Sequence, residues 1–149
     1  MKKISKNQQD TEMLAKEFFA EILEKFCFAN KACVVGLYGD LGVGKTAFTQ
    51  SVAKLLGVKR KVNSPTFVIM KRYDLKHKNF KNLFHLDAYR LKNEKELLNL
   101  GWEEIISNPD NIIFIEWPEN VKKAMPKKHH KVSIKHTKEG YRNFEIKSA

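Results

Sequence analysis

Eight consecutive residues, Gly39-Asp40-Leu41-Gly42-Val43-Gly44-Lys45-Thr46, carry the clearest chemistry in this chain. They fit G-x-x-x-x-G-K-[ST], the pattern of a loop that wraps a phosphate chain. Glycines let successive backbone N–H groups turn inward toward oxyanions. Lys45 supplies a mobile positive charge for the outer phosphates, and the Thr46 hydroxyl is a ligand suited to Mg²⁺. A helix opening near Gly44 adds the positive end of its dipole. The bland alternative is a chance glycine-rich turn, against which the Lys-Thr register and both flanks count. Gly39, Asp40, Leu41, Gly42, Val43, Gly44, Lys45, Thr46 and Ala47 are therefore the expected nucleotide-contacting set. Lys45 also counts as catalytic, because no other residue obviously replaces its charge at the phosphates.

Such a loop works only between a buried strand and a helix. Residues 32–38, Ala-Cys-Val-Val-Gly-Leu-Tyr, read as a buried parallel strand. Beyond the loop, Ala47, Val52, Ala53, Leu55 and Leu56 recur with a helical period until Gly57. Upstream, a short strand is expected at 3–5. An amphipathic helix follows, capped by Asp10 or Thr11, with Leu14, Phe18, Ile22 and Phe26 on its inner stripe. Segments 66–73 and 80–86 read as a hairpin around the polar turn at 76–79. Asn93 is placed to cap a short helix over 94–100, which Gly101 ends, and a further turn covers 102–106. The run Ile112-Ile113-Phe114-Ile115 has the character of a central parallel strand. Residues 120–125 read as helical, and 132–136 with 141–147 as a closing hairpin.

A phosphate loop needs a carboxylate at the end of a neighbouring strand, facing the metal. Asp87 and Glu116 each end an apolar strand. One would hold Mg²⁺ and the other would orient or deprotonate the attacking water, but spacing alone does not allot the roles. Each could instead cap a helix or pair with a lysine. Thr66, after Ser64-Pro65, resembles a switch segment that senses the γ-phosphate, or else simply starts a strand. Trp117 would pack against the nucleotide or serve the core. His85, His129 and His130 form no metal-ligand pattern and read as structural or surface residues.

The 149 residues suit one domain, 1–149, and 42% hydrophobic content is that of a globular chain. No apolar run is long enough to span a membrane and the start lacks a signal-type core, so a cytoplasmic location is expected. Cys27 and Cys33 read as buried thiols. The net charge of +11 permits contact with RNA or an acidic protein. It is carried mostly by lysine, which a biased composition would also produce.

Guanine recognition usually comes with an Asn-Lys-x-Asp segment; none is present, so adenine is the expected base. Beside the loop stand Ser64-Pro65-Thr66-Phe67, His85-Leu86-Asp87-Ala88-Tyr89-Arg90-Leu91, Glu96-Leu97 through Leu100-Gly101 with Glu103-Glu104, and Ile115-Glu116-Trp117-Pro118-Glu119. In this order and spacing they resemble the TsaE (YjeE) family, small bacterial P-loop ATPases needed for threonylcarbamoyladenosine in tRNA. The resemblance implies an α/β P-loop NTPase fold in three layers, its sheet mostly parallel at the centre with antiparallel hairpin additions. It implies ATP and Mg²⁺ as cofactors, hydrolysis that is slow in the isolated protein, and TsaD and TsaB as partners. It further implies that Thr46 and Glu116 ligate Mg²⁺ and that Asp87 orients water by the γ-phosphate. Ser64 to Phe67 would form the switch-like loop, Trp117 would line the site, and the Thr11 region would touch the base. Ala88 and Val43 stand where the family often has Leu and Ala, changes that touch no chemical group.

A small-molecule kinase and a non-hydrolysing ATP-gated assembly switch are the competing readings; Arg90 is the only arginine near the motifs, which disfavours the kinase. If the lysine surface serves RNA, changing Lys127, Lys128 and Lys131 to Glu should weaken RNA binding in a gel-shift titration. Unchanged binding would assign those lysines to composition alone.

Overall fold

The computed structural model describes residues 1–25, 30–59, 62 and 69–149. The expectations for Phe26, Cys27 and the Ser64-Pro65-Thr66-Phe67 segment lie outside these residues. Among the described residues, seven strands form one sheet. In chain order the elements are β1 (Lys2–Ser5), α1 (Gln8–Lys25), β2 (Cys33–Tyr38), α2 (Lys45–Leu55), β3 (Met70–Asp74) and β4 (Asn82–Asp87). Then come α3 (Lys95–Asn99), α4 (Trp102–Ser107), β5 (Asn111–Glu116), a 3₁₀ segment (Pro118–Ala124), β6 (His130–His136) and β7 (Arg142–Lys147). The strand order is β1-β7-β6-β2-β5-β4-β3. β6, β2, β5 and β4 are mutually parallel, whereas β3, β7 and β1 join by antiparallel pairing.

Burial on both faces explains why the central strands are apolar throughout. Val35, Leu37, Ile112 and Phe114 face one layer, made by α1 and α2. Val34, Phe84, Leu86, Ile113 and Ile115 face the other, where Leu97, Trp102 and Val121 cover them. In α1 the buried positions are Thr11, Leu14, Ala15, Phe18, Phe19 and Ile22, a stripe at three- and four-residue spacing. Phe18 meets Phe48 of α2 at 5.5 Å between ring centroids, and Phe48 meets Phe144 of β7 at 5.7 Å. These aromatic contacts fix α2, and with it the loop that precedes it.

The start of α1 differs from expectation. The helix begins at Gln8, and Asn7 Oδ1 accepts the Asp10 N–H at 2.8 Å. Asn7 is thus the cap, three residues upstream of the polar Asp10-Thr11 pair that suggested one. Thr11 instead turns inward, 1% exposed, with its hydroxyl 2.7 Å from Ser5 Oγ. The 120–125 segment is also a 3₁₀ turn starting at Pro118, and Val121 has non-helical dihedrals inside it.

His130, at the start of β6, is buried with its ring edge against Phe18 at 6.0 Å. Burial pushes its pKa down from 6.5 to about 4, and nearby Glu21 only partly opposes this. The folded protein then binds fewer protons than the unfolded chain between those values, so this contribution is fully present above 6.5 and is lost as pH falls toward 4. Lowering the pH from about 7 to 5 should lower the thermal midpoint, with a loss on the order of 1–3 kcal/mol. His130→Gln should flatten that dependence in a series of melts.

Candidate functional site

The carboxyl ends of β2, β5 and β4 lie side by side, because these strands are parallel and in register. Leu37 of β2 pairs with Glu116 of β5, and Glu116 pairs with Asp87 of β4. The chain leaves β2 directly into the glycine loop, so loop and both acids meet at one edge, where open parallel sheets hold ligands. A cleft of about 440 Å³ opens there, lined by Leu41, Gly42, Gly44, Lys45, Thr46, Asp87, Tyr89, Glu116 and Trp117.

The loop is held by conformations that need glycine. Gly39 has φ +144°, and a Cβ there would fall 2.5 Å from the Ile134 carbonyl oxygen and 2.8 Å from Val43 Cγ1. Gly44 has φ +113° and leads into α2. It has no side chain to cap the first turn, whose N–H groups are left for a ligand. Val43 is buried beneath the loop, and its N–H bonds the Asp40 carbonyl at 3.3 Å. Asp40, Val43, Gly39 and Ala47 therefore shape the loop without lining the cleft.

Lys45 is 4% exposed. Its ammonium donates to the Gly39 carbonyl and lies 3.8 Å from the centroid of the Trp117 ring. Burial pulls its pKa down, while Glu116, Glu119, Asp87 and Asp40 pull it back up. The ammonium is thus desolvated, with four carboxyl groups in its electrostatic surroundings. Trp117 covers it from the left-handed region, at φ 58° and ψ 48°. For a bulky residue this conformation is strained. Tyr89 backs the indole at 5.1 Å, and Asn120 Nδ2 clamps the turn by donating to the Ala88 and Tyr89 carbonyls.

The two acids differ. The Thr46 hydroxyl donates to Glu116 Oε2 at 2.9 Å. Two neighbouring oxygen ligands of an octahedral Mg²⁺ at 2.0–2.1 Å stand about 2.9–3.0 Å apart, so this pair fits that ion in both donor type and spacing. Asp87 is half-buried, and its Oδ1 accepts the Tyr89 N–H at 2.9 Å. Burial raises the Asp87 pKa and the nearby Glu116 adds to the rise, while the Tyr89 N–H opposes it. A carboxylate shifted upward is the better proton acceptor near neutral pH.

A family model described as threonylcarbamoyl adenosine biosynthesis protein TsaE matches residues 5–144. The chain belongs to the TsaE family. It is 36% identical over 129 residues to a Bacillus subtilis protein named tRNA threonylcarbamoyladenosine biosynthesis protein TsaE, covering 87% of this chain and 73% of that one. A TsaE of Haemophilus influenzae is 36% identical over 128 residues, 86% of this chain and 77% of that protein. The crystal structure of Bacillus subtilis YdiB superposes with a TM-score of 0.74 at 27% identity, covering 98% of this chain and 83% of that one.

Relative to the residues expected from sequence, the cleft of this TsaE-family chain gains Tyr89. Its side chain could not be placed before the strand end was known. Thr11 does not reach the cleft. Near its helix start, Ser5, Lys6, Asn7, Gln8, Gly140 and Arg142 line a separate polar pocket of about 240 Å³. That pocket adjoins the loop, since a Cβ on Gly44 would come within 2.8 Å of Arg142 Nη1. His85, read from sequence as structural or surface, is fully buried against Glu116. Thr66 lies outside the described residues.

Gly39→Ala should lower unfolding free energy by about 2–4 kcal/mol, from strained φ and a backbone clash together. Urea denaturation would measure it, and a loss under about 0.5 kcal/mol, typical of unremarkable surface changes, would refute the account.

Proposed function

We propose that the protein is a Mg²⁺-dependent ATPase that works with TsaD and TsaB to form the threonylcarbamoyl group on the adenosine 3′ of the anticodon in tRNAs reading A-starting codons. Membership of the TsaE family supports the pathway. The observation that carries the chemistry is the Thr46–Glu116 oxygen pair, 2.9 Å apart, beside a lysine-bearing phosphate loop.

In this reading the loop N–H groups and Lys45 bind the β- and γ-phosphates, with Lys45 exchanging the Gly39 carbonyl for phosphate oxygens. Thr46 and Glu116 hold Mg²⁺. Held there, the ion would supply positive charge against the phosphate oxygens. Asp87 orients the attacking water and accepts its proton. The pocket between Ser5–Gln8 and Gly140–Arg142 takes the adenine, which moves the base contact from Thr11 to its neighbours. The groove of about 430 Å³ containing Lys122, Lys127 and Lys131 is the face for tRNA phosphates. The protein acts in the cytoplasm as one domain, driving or resetting the transfer complex without performing the transfer.

Lys45→Ala should abolish productive ATP binding or turnover. Glu116→Ala should chiefly weaken Mg²⁺-dependent nucleotide binding. Asp87→Ala should bind ATP normally and lose turnover by about 10²–10⁴-fold. Single-turnover hydrolysis with and without TsaD–TsaB, beside calorimetric binding, would check all three. If both acid variants lose only nucleotide affinity, the division of roles fails. Phosphate transfer to a metabolite without partner proteins would replace the reading with a kinase.

A further inference from the structure

β4 alternates its side chains strictly, so His85 projects from the same face as Leu83, two residues from Asp87. Its register partner on β5 is Phe114, and the imidazole is 0% exposed. A central strand ordinarily fills such a position with a β-branched or aliphatic residue, since burying a polar ring costs free energy unless its nitrogens are bonded. Among the described residues, one nitrogen is bonded and one is not. Nε2 lies 2.7 Å from Glu116 Oε2, the oxygen that also accepts the Thr46 hydroxyl. Nδ1 is enclosed and has no hydrogen-bond partner among the described residues.

That asymmetry fixes what the ring does. A carboxylate only accepts, so the Nε2 proton belongs to the contact with Glu116. With the proton there, Nδ1 leaves a lone pair unmet. The other tautomer would strand an enclosed N–H and lose the contact as well, at the larger cost of an orphaned donor. Among the described residues, the polar return for burying this imidazole is its grip on Glu116.

We propose that His85 is a positioning residue for the metal: its Nε2–H anchors Glu116 Oε2 from beneath the sheet edge. The carboxylate then keeps one rotamer and offers its remaining lone pairs to the cleft. This rests on the reading of Glu116 as a Mg²⁺ ligand. Ligating carboxylates are generally held by a further hydrogen bond, and loss of such a partner weakens metal affinity by about 10–100-fold. A glutamate carboxylate has three side-chain torsions to fix, and the Thr46 hydroxyl constrains Oε2 from the helix side alone. The His85 Nε2 contact holds the same oxygen from β4, a second element.

The test uses the full chain and measures affinity for a non-hydrolysable ATP analogue by calorimetry, first in EDTA and then across a Mg²⁺ titration. His85→Leu should raise the Mg²⁺ concentration for half-maximal tightening by about 10–100-fold and leave the EDTA affinity within about twofold. His85→Gln, whose amide nitrogen reaches about as far as Nε2, should restore most of the Mg²⁺ response. His85→Asn, whose donor is too short, should not. The Gln–Asn comparison stands alone if the Leu variant does not fold, and thermal melts establish which variants are native. The proposal is overturned if His85→Leu retains the wild-type Mg²⁺ response. It is also overturned if Gln and Asn lose that response equally, or if affinity falls by the same factor in EDTA, as a purely structural role would give. A wild-type protein with no Mg²⁺ response would remove the ATPase reading and this inference together. A wild-type response with unaffected variants would remove this inference alone.

Discussion

Glu116 Oε2 is the atom at which the parts of this molecule converge. It accepts Thr46 from the first turn of α2 at 2.9 Å and faces His85 from β4 at 2.7 Å, while its own residue ends β5. Two hydrogen bonds to a nearly buried carboxyl oxygen are individually strong because little water competes for it. They link a helix and two strands far apart in sequence. The contact exists only because β2, β5 and β4 run parallel and end level, so the three-layer architecture and the site are one constraint. A slip of two residues between β4 and β5 would keep the apolar faces buried and separate these groups.

Lys45 shows the same economy. A buried ammonium is unfavourable alone, and burial does pull its proton affinity down. The Gly39 carbonyl, the Trp117 ring and the surrounding carboxylates offset that cost without any one of them forming a tight ion pair. The ammonium therefore stays on the wall of the cleft. Trp117 reaches its position through an αL backbone that its side chain disfavours, and Pro118, Asn120 and Tyr89 hold it there. Strain of this kind, next to an acid and a lysine, belongs to a working site more than to a scaffold.

Much of this was legible in the residues. Runs such as Ile112-Ile113-Phe114-Ile115 announce strands covered on both faces, and the structure has helices on both sides of β5. The glycine loop appears where a strand hands over to a helix. The 76–79 turn and the hairpin around it appear as expected from polarity, although β3 starts at Met70. Local capping was less legible. Asn7, Asp10 and Thr11 are all acceptable caps by type, and only the pairing of β1 with β7 and the inward turn of Thr11 select Asn7.

The sequence by itself determined the phosphate loop, the two acids that end apolar strands, and the alternation of apolar and polar segments that makes an α/β sheet. These follow from short-range rules, because glycine's dihedral freedom and β-branched periodicity act within a few residues. Which acid faces Thr46, that burial raises the Asp87 pKa, and that His85 lies under Glu116 were settled by the tertiary packing. Those facts depend on register between strands whose paired ends stand 29 residues apart (87 and 116). No local preference encodes that distance, and the packing of both sheet faces had to set it.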